Sequence, residues 1–162
     1  MSGDLNTGTA RASTRMSRMD EDLQIALAPV LADLTSATPF TPEFRDDEWS
    51  GLQGVAATMI FFGGSGTGIS INVGSTRAQQ VTSLADQIQE AAVEALWGSG
   101  HSPVWPECPE HPDTHPLRPV ESNDTAVWVC PKSRTEICLI GSLSTVRATG
   151  APNSGKLRTG ST

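Results

Sequence analysis

Val55-Ala-Ala-Thr-Met-Ile-Phe-Phe62, then Gly63-Gly-Ser-Gly-Thr-Gly68, then Ile69-Ser-Ile-Asn-Val73 lead directly into Thr76-Arg-Ala-Gln79. The first run is almost continuously apolar, and in the last Ile69, Ile71 and Val73 alternate with Ser70 and Asn72, which is the period of a half-buried strand. The glycines between them read as the flexible connection of a hairpin. From Ser75 or Thr76 the period changes. Val81, Leu84, Ala85, Ile88, Ala92, Ala95 and Leu96 line one face at helical spacing, Thr76-x-x-Gln79 fits a capping box, and Gly98 supplies a stop. Two strands followed by an amphipathic helix with a different period predict an α+β fold.

Upstream, Asp20 to Ala37 reads as another helix, with Leu23, Leu27, Val30, Leu31 and Leu34 on one face and Asp20, Glu21 and Asp22 at its positive end. Pro29 should kink or split it. Thr38-Pro-Phe-Thr-Pro42 ends it, and Glu43 to Ser50 reads as a linker or a weak edge strand. Downstream, six prolines between Pro103 and Pro119 forbid helix or paired strand through most of that segment. Ala126–Cys130 and Glu136–Leu143 then form a second hairpin about Pro131–Thr135. Pairing Cys130 with Glu136 sets Trp128 opposite Cys138. The expected order is helix, hairpin, helix, proline-rich Cys/His loop, hairpin, with two helices on a small antiparallel sheet.

A chain of 162 residues is one domain by length. Residues 1–18 and 144–162 are rich in Gly, Ser, Thr and basic side chains and carry no apolar stripe, so both read as disordered ends around a domain at 19–143. No basic start followed by an apolar run opens the chain, and no apolar stretch approaches the roughly 18–20 residues of a membrane span. Three cysteines leave one unpaired in any disulfide scheme, which favours a reducing, cytoplasmic setting. Residues 19–121 carry 15 acidic and 3 basic side chains. Such a body repels phosphate backbones, disfavours nucleic-acid binding and suits basic or mixed protein partners.

Chemistry concentrates in the loop at 101–131. Cys108-Pro-Glu-His111 and Cys130-Pro-Lys-Ser133 are two turns of one type, with 18 residues between His111 and Cys130. Zinc ribbons space two C-x2-C turns by about 15–20 residues. Here His111 replaces one cysteine and Ser133 stands in the fourth position, where a hydroxyl is a poor ligand. His115 offers a substitute, so the metal set is Cys108, His111, His115 and Cys130, a degenerate ribbon for structural zinc. Cys138 and His101 are reserves. The bland alternative is a small apolar cluster of Trp105, Pro106, Pro116, Leu117 and Trp128 with no metal.

Two other functional classes stay open. A metal-dependent enzyme could use the same loop with water as one ligand, or a Cys108–histidine dyad oriented by Asp113. A weak nucleic-acid-binding ribbon could use Lys132 and Arg134 at the hairpin tip. Gly150-Ala-Pro-Asn-Ser-Gly-Lys156 imitates a phosphate-binding loop, but Leu157 follows where Ser or Thr must hold Mg²⁺. Ser65 lacks the second glycine of a nucleophile elbow. An adaptor module is the expected role.

Trp105–His111, His115–Leu117, Ala126–Pro131 and Ile140–Leu143 carry the pattern Trp-Pro-x-Cys-Pro-x-His, His-Pro-Leu, Ala-Val-Trp-x-Cys-Pro and Ile-Gly-x-Leu. In these segments the chain resembles a group of small uncharacterised actinobacterial proteins over roughly residues 19–143. The resemblance implies a shared fold and brings no activity.

Overall fold

Helix α1 (Glu21–Ala37) opens the computed structural model, which describes residues 20–45, 54–62 and 64–149. Asp20 caps it, its carboxylate accepting from the amides of Asp22 and Leu23. Of the two outcomes expected at Pro29, the split does not occur: the helix runs unbroken through it. Leu23, Leu27, Val30 and Leu34 are buried as the period requires, so an apolar face continuous on both sides of the proline holds the two halves in one helix.

Strands β1 (Glu43–Arg45), β2 (Val55–Phe62) and β3 (Ser65–Asn72) form an antiparallel sheet in that order. The first hairpin is longer than its glycines suggested. Gly66 and Gly68 belong to β3, pairing with Phe61 and Met59. A Cβ on Gly66 would overlap the Phe61 ring, which lies under the Arg45 guanidinium at 4.3 Å. Here the glycine makes room for an aromatic cross-strand partner.

Helix α2 (Arg77–Gly98) starts at the expected capping box, with the Thr76 hydroxyl accepting from the Gln79 amide and the Gln79 side chain accepting from the Thr76 amide. It buries the whole expected stripe. Three glutamines tie it to its surroundings. Gln87 both accepts from the Ser70 N–H and donates to the Ser70 carbonyl, at 2.9 Å each, and so serves the β3 edge as a neighbouring strand would. Gln80, 4% exposed, donates to the carbonyls of Asn72 and Val73. Gln89 reaches the proline-rich loop.

A second antiparallel sheet follows, β4 (Arg118–Ser122), β5 (Thr125–Val129) and β6 (Glu136–Leu139) in that order. Trp128 faces Cys138 as expected, but a bulge at Trp128/Val129 pairs Val129, not Cys130, with Glu136. β4 had no counterpart in the sequence reading. It tolerates Pro119 because it is an edge strand, and it turns back through Asn123 and Asp124, both at positive φ, as a tight hairpin turn demands.

Regular structure also extends beyond residue 143. Helix α3 (Leu143–Thr149) occupies the start of the segment read as a disordered tail, because Leu143 is buried and the Gly141 and Leu143 amides are held by a carboxylate of α1. Residues 1–19 and 150–162, with the other end-segment expectations and the Gly150–Lys156 motif, lie outside the described residues. Helix α2 touches α1, β3, β4 and β5, and one cluster of buried side chains runs from Leu23 through Ile60 and Leu84 to Trp105, Cys108 and Trp128. Among the described residues no helix is long and apolar enough to cross a membrane.

Candidate metal centre

Trp105 to Leu117 makes little ladder hydrogen bonding of its own, so its shape depends on other elements. Gln89 of α2 donates to the Trp105 carbonyl at 2.9 Å and to the Leu117 carbonyl at 2.6 Å, drawing both limbs of the loop onto one helix. The Leu117 amide donates to the Pro106 carbonyl, and Glu107 bridges to Pro116. Between these anchors the His111 amide donates to the Cys108 carbonyl, and the Asp113 amide, at φ 57°, donates to Glu107 Oε1. On the facing side, Pro131–Arg134 makes a tight turn in which the Cys130 carbonyl accepts from the Arg134 amide and the Cys130 amide donates to the Thr135 carbonyl. Trp105 and Trp128 meet edge to face, centroids 5.8 Å apart. The expected apolar cluster and the ligand cluster are thus adjacent.

The structure brings Cys108, His111, His115 and Cys130 together, one ligand atom from each lying within 4.8 Å of all the others. His111 Nδ1 stands 3.6 Å from Cys108 Sγ and 3.4 Å from Cys130 Sγ, and His115 Nε2 stands 3.8 Å from Cys130 Sγ. A tetrahedral zinc with bonds of about 2.3 Å to sulfur and about 2.0–2.1 Å to nitrogen requires S···N edges of about 3.5 Å. These three S···N separations lie close to that edge, and all four ligand atoms stay within 4.8 Å of one another, so the group could hold a metal ion. Both cysteines are fully buried and both histidines half-buried. Cys138 and His101 stand outside the group. Cys138 lies on β6 with its thiol pushed up to about 11 by burial and by Asp33, and His101 Nδ1 is 3.1 Å from Ser99 Oγ.

Polar groups surround these atoms. His115 Nδ1 lies 3.0 Å from the Pro116 carbonyl. A carbonyl only accepts, so Nδ1 carries the proton and Nε2 presents its lone pair to the cluster. Burial pushes Cys130 up, yet donors from Ser133, the Lys132 amide and Cys108 outweigh it and leave this thiol below its ordinary value. Burial raises Cys108.

Ser133, the misfit of the ribbon pattern, has a different task. Its amide donates to Cys130 Sγ at 3.4 Å, while its hydroxyl donates to Glu110 at 2.5 Å. That bond is the main cause holding the Glu110 carboxyl below its usual range. Among the described residues no hydrogen bond joins Asp113 to either histidine; its amide donates to Glu107, and His115 Nδ1 lies against the Pro116 carbonyl. The sequence reading missed Gln89 and Asp33 (the α1 carboxylate that holds α3), because a polar residue on a helix carries no signal of what it will meet. No protein-family model, curated protein or solved structure matches this chain.

Proposed function

We propose that this chain is a small non-enzymatic binding module whose proline-rich loop is held by a structural zinc ion on Cys108, His111, His115 and Cys130. The observation that carries the reading is the mutual approach of four soft ligand atoms within 4.8 Å. Two thiolates neutralise Zn²⁺, and two imidazoles complete a tetrahedron with no position left for water or substrate, the signature of a structural rather than a catalytic site. Thiolate with imidazole in that geometry favours zinc over the hard cations. The three free cysteines suit a reducing cytoplasm. The acidic body favours a basic or mixed protein partner.

Elemental analysis of the purified chain should find about one zinc per molecule, and chelation should lower its melting temperature. Cys108→Ser and Cys130→Ser should lose metal and stability together, whereas Cys138→Ser keeps the metal. Metal-free protein with unchanged melting behaviour overturns the zinc reading. Metal whose removal leaves the fold intact but abolishes a hydrolytic activity overturns the non-enzymatic one.

A further inference from the structure

A cleft of about 490 Å³ opens where the end of α1, the end of α2, the metal loop and α3 converge. That lies within the roughly 300–1,000 Å³ typical of small-molecule sites. Its walls are chiefly apolar, including Leu96, Val104, Pro106, Leu143 and Val146. His101, Ser102, Trp105, Glu107 and Arg147 add polar groups to that lining. Trp105 is 2% exposed, and its indole N–H has no hydrogen-bond partner among the described residues. Arg147 is cationic, and among the described residues its ion-pair partner is Glu107, at 3.9 Å, too far for a hydrogen bond. Glu107 is itself held in the loop, its other oxygen accepting from the Asp113 amide.

We propose that this cleft binds a small monocarboxylate carrying an apolar chain or ring, the apolar part lying along Leu96, Val104 and Val146 and the carboxylate on Arg147. The Arg147 side chain is half-exposed at the cleft and too far from Glu107 for a hydrogen bond, so its planar guanidinium is open to a ligand carboxylate, which it favours by its two-pronged geometry. A cation would be opposed by Arg147 and drawn only to Glu107, which the Asp113 amide already engages, and a neutral alcohol leaves the guanidinium unused. Cys108 and Pro109 form part of the same wall, so a metal that sets the loop also sets the cleft. The proposal gives the binding module its ligand class and rests on that reading.

Calorimetric titration of the metal-loaded protein with octanoate, octanol and octylamine tests it, zinc content being measured on the same samples. Octanoate should bind and shift the Trp105 indole N–H resonance, identified by its loss in Trp105→Phe. Arg147→Gln should weaken octanoate by roughly tenfold or more while leaving octanol unchanged. Val146→Trp, which fills the cleft from its rim, should abolish binding with the melting temperature retained. Octanoate that fails to bind zinc-replete protein, binds no tighter than octanol, or is indifferent to Arg147→Gln overturns the ligand proposal and leaves the zinc reading standing. Protein isolated without zinc that still binds octanoate overturns only the metal.

Discussion

Asp33 is 1% exposed on the buried face of α1 and accepts from Trp128 Nε1 at 2.7 Å, the Gly141 amide at 2.6 Å and the Leu143 amide at 2.9 Å. One carboxylate so joins the first helix to the last strand hairpin and the last helix. Burial raises its pKa above the ordinary 3.8, the three donors opposing without prevailing. The native state therefore holds this proton more tightly than the unfolded chain does. Its contribution is largest below about pH 3.8 and declines as pH rises through the raised native value. Denaturant titrations of wild type and Asp33→Asn should show their stability difference shrinking across that window as pH increases. A difference that grows with pH would mean the donors, not burial, govern the group. At neutral pH Asp33→Ala should cost about 3–5 kcal/mol, since it strands two buried donors and one part-buried donor.

Helix α2 shows how an element acquires a task beyond its apolar stripe. Gln89 can serve two carbonyls only because an amide nitrogen has two hydrogens. Gln89→Glu preserves shape but removes both donors and sets a carboxylate against two carbonyl oxygens. It should cost about 1–3 kcal/mol and weaken zinc retention against a competing chelator. A glutamate variant with wild-type stability and metal affinity would show that the loop holds its own shape. In the first sheet, Gly66→Ala should cost about 1–3 kcal/mol by forcing Phe61 out of its place. Phe61→Leu in the same chain should recover part of that loss, whereas strictly additive effects would place the clash elsewhere.

The buried cluster reaches from α1 through both sheets into the Cys/His loop, so the described residues share one core. Leu84, fully buried at its centre, should cost about 2–5 kcal/mol on conversion to Ala. Tryptophan fluorescence and far-ultraviolet circular dichroism should report one coincident unfolding transition, and chelation should shift its midpoint without separating the two signals. Separate transitions would mean that the loop and its hairpin fold apart from the helices. The α+β class, the α1 and α2 core faces, the capping box and the Trp128–Cys138 pairing were legible because they are periodic or local. The proximity of two cysteines and two histidines was readable as spacing, since a turn of fixed length sets which residues share it. The strand β4, the role of Gly66, the three glutamine anchors, Asp33 and helix α3 were not. Each depends on a partner distant in sequence, 108 and 110 residues away for the Asp33 bonds to Gly141 and Leu143. Period and propensity describe what a segment prefers alone, and only packing in three dimensions decides which polar group a buried donor will meet.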